Sequence, residues 1–182
     1  MSTDSWNFDT VHSSITFSIR HLVISKVHGR FTKWSGGFAL DAEGNAPGTI
    51  TAAIEVASID TNEAQRDAHL RSPDFFDTEK FPTMSFASTS IRRIDDSALE
   101  ITGQLTIRDV SREVTLAADF GGRVTDPWGN QRLGYSAKTT INRKDFGLGW
   151  NQVLEAGGVV VGEKVEIAIE VELVRTAAAA TA

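Results

Sequence analysis

The 182-residue chain contains no cysteine. That absence removes disulfides, thiolate zinc sites, iron–sulfur clusters and cysteine nucleophiles together. No apolar run approaches the roughly 18 residues of a membrane-spanning helix. The opening Met1-Ser2-Thr3-Asp4-Ser5-Trp6 has neither a basic n-region nor an apolar h-region. The location expected from it is cytoplasmic, or periplasmic or secreted if a leader precedes this sequence. The formal net charge of −6 offers no excess of cations to a phosphate backbone or to an anionic lipid surface at long range, which argues against a nucleic-acid partner. Four chemical signatures are also missing: HExxH metal spacing, a GxSxG elbow, a phosphate loop and the Rossmann glycines.

What is present is ordinary globular composition, 41% hydrophobic and 23% charged, too apolar for a disordered chain. Its dominant signal is period-two alternation. Ile15, Phe17 and Ile19 alternate with polar residues, and the pattern returns in Ile50-Ala52-Ile54-Val56, Met84-Phe86 and Leu99-Ile101-Gly103-Leu105-Ile107. It continues in Val114-Leu116-Ala118-Phe120, Leu133-Tyr135-Ala137-Thr139-Ile141 and Val165-Ile167-Ile169-Val171-Leu173. Successive side chains of a strand face opposite sides of its sheet. Between Gly29 and Leu40 the apolar set changes parity after Phe31, and the adjacent Gly36 and Gly37 suit a β-bulge. Turn residues punctuate the strands at 41–45 and 126–130. About eight strands on short connections read as an all-β barrel, with a filled sandwich as the competing arrangement. The whole chain, 1–182, reads as one domain, with 177–182 a frayed tail.

The alternate faces carry Arg20, Glu55, Glu100, Arg108, Glu113, Glu166, Glu170 and Glu172. Such charges are costly against lipid and too many for a sealed interior, so they face water and the apolar faces point inward. An eight-stranded barrel is just wide enough to be filled by side chains or to hold one small ligand. Small inward residues (Ala52, Gly103, Ala118, Ala137, Thr139) favour the second.

One stretch reads as helix, Thr61 to about Arg71, with Asp60 and Glu63 at capping-box spacing and Ser72-Pro73 as the stop. It falls between strands, where it covers a barrel mouth, and Arg66 or His69 is placed to hold a ligand head group. A solvated face with an Arg–Asp pair is the plainer reading of the same residues. Asp67 and His69 are two apart and share no helical face, which argues against a local relay. The histidines at 12, 21, 28 and 69 show no metal spacing and read as hydrogen-bonded groups at strand ends.

Several blocks, in this order, resemble the YceI-like family of lipocalin-like, polyisoprenoid-binding proteins. They include Asp9-Thr10-Val11-His12-Ser13, Phe17-Ser18-Ile19-Arg20-His21-Leu22 and Ala57-Ser58-Ile59-Asp60-Thr61. Arg66-Asp67-Ala68-His69-Leu70-Arg71-Ser72-Pro73, Phe81-Pro82-Thr83-Met84-Ser85-Phe86 and Asn142-Arg143-Lys144-Asp145-Phe146-Gly147-Leu148 follow. The resemblance runs from Trp6 to about Val174. It implies an eight-stranded antiparallel lipocalin-like barrel with one short helix near a mouth, and an internal apolar tunnel that carries or stores an isoprenoid or other long-chain lipid. It implies no catalytic residue, no metal, no cofactor beyond that lipid, and a homodimer. On this reading the tunnel is lined by Phe17, Ile19, Phe31, Phe38, Ile54, Val56, Phe86, Leu105, Ile107, Leu116, Phe120, Ile141 and Phe146, with Arg66, Asp67, His69 and Leu70 at the mouth. The competing functions are a filled-core interaction or stress-related domain that holds no ligand, and a barrel hydrolase or isomerase using His69 or His12 as base.

Overall fold

The alternating segments become strands of one curled antiparallel sheet in a computed structural model, which describes residues 5–41 and 46–176. The turn residues Ala42 to Asn45 and the tail 177–182 lie outside the described residues. The strands are β1 (Ser5–Phe8), β2 (Ser14–His21), β3 (Ser25–Phe31), β4 (Trp34–Leu40), β5 (Pro47–Glu55) and β6 (Ile59–Asp60). After the helix α1 (Ala64–Arg71) come β7 (Thr83–Arg93), β8 (Ala98–Ile107), β9 (Val110–Thr125), β10 (Gln131–Asn142) and β11 (Val161–Thr176). Short 3₁₀ turns lie at Val56–Ser58 and Arg143–Phe146.

The strand order is β4-β5-β7-β8-β9-β10-β11-β2-β3-β6, with β1 added on β11. Successive antiparallel pairings leave β3 and β4 running in the same direction, joined only by Thr32 and Lys33. They are one bent strand, which pairs with β2 before the bend and with β5 after it, so the sheet returns on itself. The bend is held by the Thr32 N–H donating to the Ser58 carbonyl (3.2 Å) and the Glu55 N–H donating to that of Lys33 (3.0 Å). Among the described residues the strand count is therefore eleven rather than eight. Counting the bent strand once, and setting aside the short β1 and β6, recovers the expected eight.

The change of parity after Phe31 is this bend, not a bulge at the glycines. Gly36 and Gly37 pair in regular register with Ala52 and Thr51. Gly36 is required by close approach: a Cβ there would lie 2.5 Å from the Thr51 carbonyl oxygen and 2.9 Å from the Phe8 ring.

The helix also begins later than its capping-box spacing suggests. Glu63, not Asp60, is the cap, accepting from the N–H groups of Gln65 (3.2 Å) and Arg66 (2.5 Å). Asp60 belongs to β6, where its carboxylate takes the Asn62 N–H and the Arg30 guanidinium.

The barrel has two unlike ends. One carries the β2–β3 hairpin, residues 56–82 with α1, the β8–β9 turn and residues 143–160. The far end is closed by Trp6, Leu133 and Leu173, between 0 and 7% exposed, with Phe120 and Tyr135 packed against them. Arg132 ties the far-end turns together, donating to Asp9 (2.7 Å), Asp126 (2.8 Å) and Glu172. Burial alone would raise the Asp126 carboxyl, but hydrogen bonds from Arg132, Asn130 and the Trp128 N–H outweigh it and hold the group down at about 2. Arg132, and after it His12, hold Asp9 lower still.

Two outcomes follow for stability. Adding a methyl at Gly103 drives it to 2.5 Å from the Ala87 carbonyl oxygen, rigid backbone, whereas at Gly134 it meets nothing within 4 Å. Gly103→Ala should cost about 2 kcal/mol by urea unfolding and Gly134→Ala under about 0.5 kcal/mol. For acid, a depressed carboxyl adds stability above its ordinary value of 3.8 that is lost as pH falls towards about 2. Arg132→Met should lower the urea midpoint at neutral pH and lose less than the wild type between pH 4 and 2. An equally steep acid loss in the variant would contradict the assignment.

Candidate functional site

The inward faces do not fill the barrel. They enclose an apolar cavity of about 430 Å³ that runs from α1 towards the far-end plug. Ligand pockets commonly span about 300–1,000 Å³. Small residues keep it open. Ala52, Ala118 and Ala137 stand on the wall where larger side chains would cross the ring. Gly29 and Gly103 act differently, by letting aromatic rings lie flat. The Phe17 ring covers Gly29 so closely that a Cβ would sit 2.3 Å from Cζ, and the Phe86 ring covers Gly103 at 2.5 Å. Among the charged outer-face residues read from the sequence, only Arg20 borders the cavity, at its rim; Arg108 instead lies over the Phe81 ring at 5.4 Å.

Of the sequence-derived lining set, Phe17, Ile19, Phe31, Phe38, Ile54, Phe86, Leu105, Ile107, Leu116 and Ile141 face the cavity. Val56, Phe120 and Phe146 do not. Val56 and Phe146 lie in the 3₁₀ turns, each 2% exposed, packed in the core behind the wall. Phe120 packs into the far-end plug, where β9 and β10 shift register between Gly134 and Tyr135 and end the simple alternation. Wall residues that alternation did not nominate include Trp34, Phe75, Phe76 and Trp150. Trp34 was visible just past the parity change, while the other three sit in segments with no period to read.

At the α1 end the mouth is bordered by Arg66, His69, Leu70, Trp150, His21 and Val160. Asp67 is not among them. It is buried and accepts from the Thr61 N–H (2.9 Å) and hydroxyl (2.5 Å), fastening the start of the helix. Arg66 converges on the same threonine, donating to its hydroxyl and its carbonyl at 2.7 Å each. The two charges thus share Thr61 instead of forming the Arg–Asp pair of the plainer reading. His69 bonds Asp74 through Nε2 at 2.8 Å, and its ring meets those of Phe75 and Trp150 edge-on at 5.1 and 4.6 Å. The resulting mouth is an aromatic collar with two cationic or imidazole heads turned to polar partners.

A residue that sequence reasoning did not single out holds this mouth together. Arg143 is 3% exposed, and among the described residues its guanidinium bonds carbonyls and no carboxylate. Its guanidinium donates to the carbonyls of Gly162 (2.7 Å), Leu148 (2.6 Å), Trp150 (2.9 Å) and Val161 (3.4 Å). Burial pushes its pKa down from the ordinary arginine value, while Glu163 works in the opposite sense. The four acceptors lie on both limbs of the segment that carries Trp150, so one side chain staples the loop beside the cavity. The planar fork of arginine suits this, and a lysine ammonium would not reproduce it.

Among the described residues, one group of side chains has metal-ligand spacing. Asp9, His12 and Glu172 bring their ligand atoms within 4.8 Å of one another, but Arg132 already bonds both carboxylates.

Residues 6–173 match the family model for the YceI-like domain. The chain is 40% identical to a UPF0312 protein of Pseudomonas fluorescens over 137 residues, 75% of this chain and 71% of that one. It is 39% identical to UPF0312 protein VVA0736 of Vibrio vulnificus over the same length, which covers 72% of that protein. Among solved structures, the Campylobacter jejuni YCEI protein that crystallizes with large solvent channels superposes with a TM-score of 0.72 at 30% identity, covering 86% of this chain and 90% of that one. BcnA of Burkholderia cenocepacia shares the fold at 20% identity, with a TM-score of 0.78 over 91% of this chain and 99% of that one. A polyisoprenoid binding domain from Saccharophagus degradans shares it at 14% identity, with a TM-score of 0.72 over 94% of this chain and 99% of that one.

Replacing the staple tests its role. Arg143→Met should cost on the order of 3 kcal/mol, since it leaves buried carbonyls without donors. Hydrogen exchange should speed up across residues 148–161 before it does in β8 and β9. Uniform acceleration across the barrel would contradict a local staple.

Proposed function

The chain belongs to the YceI-like domain family, and from that premise we propose that it binds a long-chain lipid in its interior, an isoprenoid or a related fatty chain, and carries or stores it. The observation that carries this reading is the apolar cavity itself, long and walled almost wholly by carbon. Burying on the order of 500 Å² of apolar tail yields roughly 12 kcal/mol gross at about 25 cal/mol/Å². Ordering a flexible tail takes back several kcal/mol, and the surplus is enough to retain a ligand through purification. The fold shared with a polyisoprenoid binding domain supports the same ligand class.

An interior of this kind selects by width and length. The wall offers few polar atoms to read a tail, so saturated and isoprenoid chains of similar girth should bind alike. Head-group recognition falls to the mouth, where Arg66 and His69 border the cavity. The Nε2 of His69 is engaged by Asp74 and its ring is packed by two aromatics, so a head group would meet an imidazole already fixed in place. His12, the other candidate base, is bonded to Asp9 at the far end, away from the cavity.

Filling the cavity tests the proposal. Ala137 lies on the wall, cross-strand from Ala118 on one side and Ile169 on the other. Ala137→Trp should abolish uptake of a fluorescent fatty acid while retaining the circular-dichroism spectrum of the barrel. A folded variant that takes up the probe as the wild type does would place the binding site elsewhere.

A further inference from the structure

The cavity mouth is flanked by a turn whose residues are poor choices for a turn. In the β2–β3 hairpin, Leu22 and Val23 have φ values of +52° and +64°. That left-handed region favours glycine and asparagine, and a β-branched residue there is strained. Val23 and the next residue, Ile24, are nonetheless 72% and 82% exposed. A turn selected for stability would carry Asn-Gly. The apolar tip continues into the neighbouring loop. The Leu22 N–H donates to the Val160 carbonyl (2.9 Å), Val159 bridges to Val153, and Val153 is 78% exposed. His21, Val27 and Val160, beside the tip, border the cavity. An exposed apolar rim therefore runs into the apolar interior.

Charge behind the β2–β3 tip differs from that at the far-end turns, although Glu155 lies two residues beyond Val153 on the neighbouring loop. The other exposed large apolar side chains among the described residues, Val11, Ile94, Val124 and Trp128, stand at or beside far-end turns. Those turns also hold Asp9, Asp95, Asp96 and Asp126. On the outer wall behind the β2–β3 tip, a groove is instead lined by Arg20, Lys26 and Lys164, with Glu166 as its only carboxylate. Glu166 is paired with Lys26 at 2.6 Å, which leaves two further cations facing water. Apolar side chains at a tip with cations one step behind match the layering of a bilayer surface, acyl boundary below and phosphates above.

We infer that Val23, Ile24 and Val153 seat the cavity mouth on a phospholipid bilayer, with Arg20 and Lys164 against the lipid phosphates. This rests on the lipid-carrying reading and adds the place where the lipid is exchanged. The net charge of −6 opposes attraction at a distance, so the contact is local and mainly apolar. A chain leaving the bilayer would pass from acyl boundary to cavity without crossing water.

The test compares wild type with Val23→Gly/Ile24→Ser. The glycine relieves the turn, so the thermal midpoint should hold or rise. Flotation with phosphatidylcholine vesicles containing some phosphatidylglycerol should show the bound fraction falling about tenfold or more. Uptake of a fluorescent fatty acid supplied in solution should stay unchanged. A variant that floats like the wild type would overturn the docking site. So would a wild type that takes up the probe but ignores vesicles, with the carrier reading left standing. Loss of both activities in the wild type would remove both proposals. A fall from dimer to monomer by light scattering, with flotation unaltered, would reassign the tip to self-association.

Discussion

An eight-strand ring is a space that its own side chains can close, and everything proposed for this protein depends on its staying open. Phe17, Phe86 and their neighbours would fill it if they pointed to the axis. They lie along the wall because Gly29 and Gly103 carry no Cβ where the rings rest, and because Ala52, Ala118 and Ala137 stop short of the centre. Leaving apolar volume unfilled costs stability relative to a packed core. An apolar chain in the cavity recovers that stability by binding only the folded state. On the proposed reading, the same residues that weaken the empty barrel would supply the affinity for a ligand.

The two ends divide the remaining work. At the far end, Trp6, Leu133 and Leu173 make an apolar plug, and Arg132 gathers three carboxylates from separate segments around it. At the other end the chain departs from the sheet in two long connections, tied back by the short β6 ladder, by apolar packing and by a few polar anchors. Asp67 and Arg66 fix α1 through Thr61, and Arg143 fixes residues 148–162 through carbonyls. These anchors hold the aromatic residues of the mouth against the core that Val56, Ile59, Phe146 and Leu148 form beneath them.

The sheet was largely legible in the sequence because a strand's inside and outside differ by one residue. Period-two alternation gave the antiparallel barrel, the inward faces and most of the cavity wall. The parity change after Phe31 marked the bend between β3 and β4, although it was assigned to the glycines five residues on. Alternation stopped being informative where the backbone left the ladder. Val56 and Phe146 carry the right chemistry, but 3₁₀ turns redirect them. A register shift between β9 and β10 leaves Phe120 with the plug. Asp67 looked like a mouth residue because it sits between Arg66 and His69, and helical geometry turned it to Thr61. Arg143 stood within the Asn142-to-Leu148 block that carries the family resemblance, but its role as a staple was not legible: its acceptors are backbone carbonyls, and any residue supplies those.

The account stands or falls on what occupies the interior. The most direct measurement is mass spectrometry of an organic extract of protein purified without detergent. A near-stoichiometric isoprenoid or other long-chain lipid, reduced or absent in the extract of a cavity-filled variant, is the predicted result. An extract free of lipid, from a protein that also fails to take up added chains, would contradict the account and leave a barrel whose interior serves no ligand.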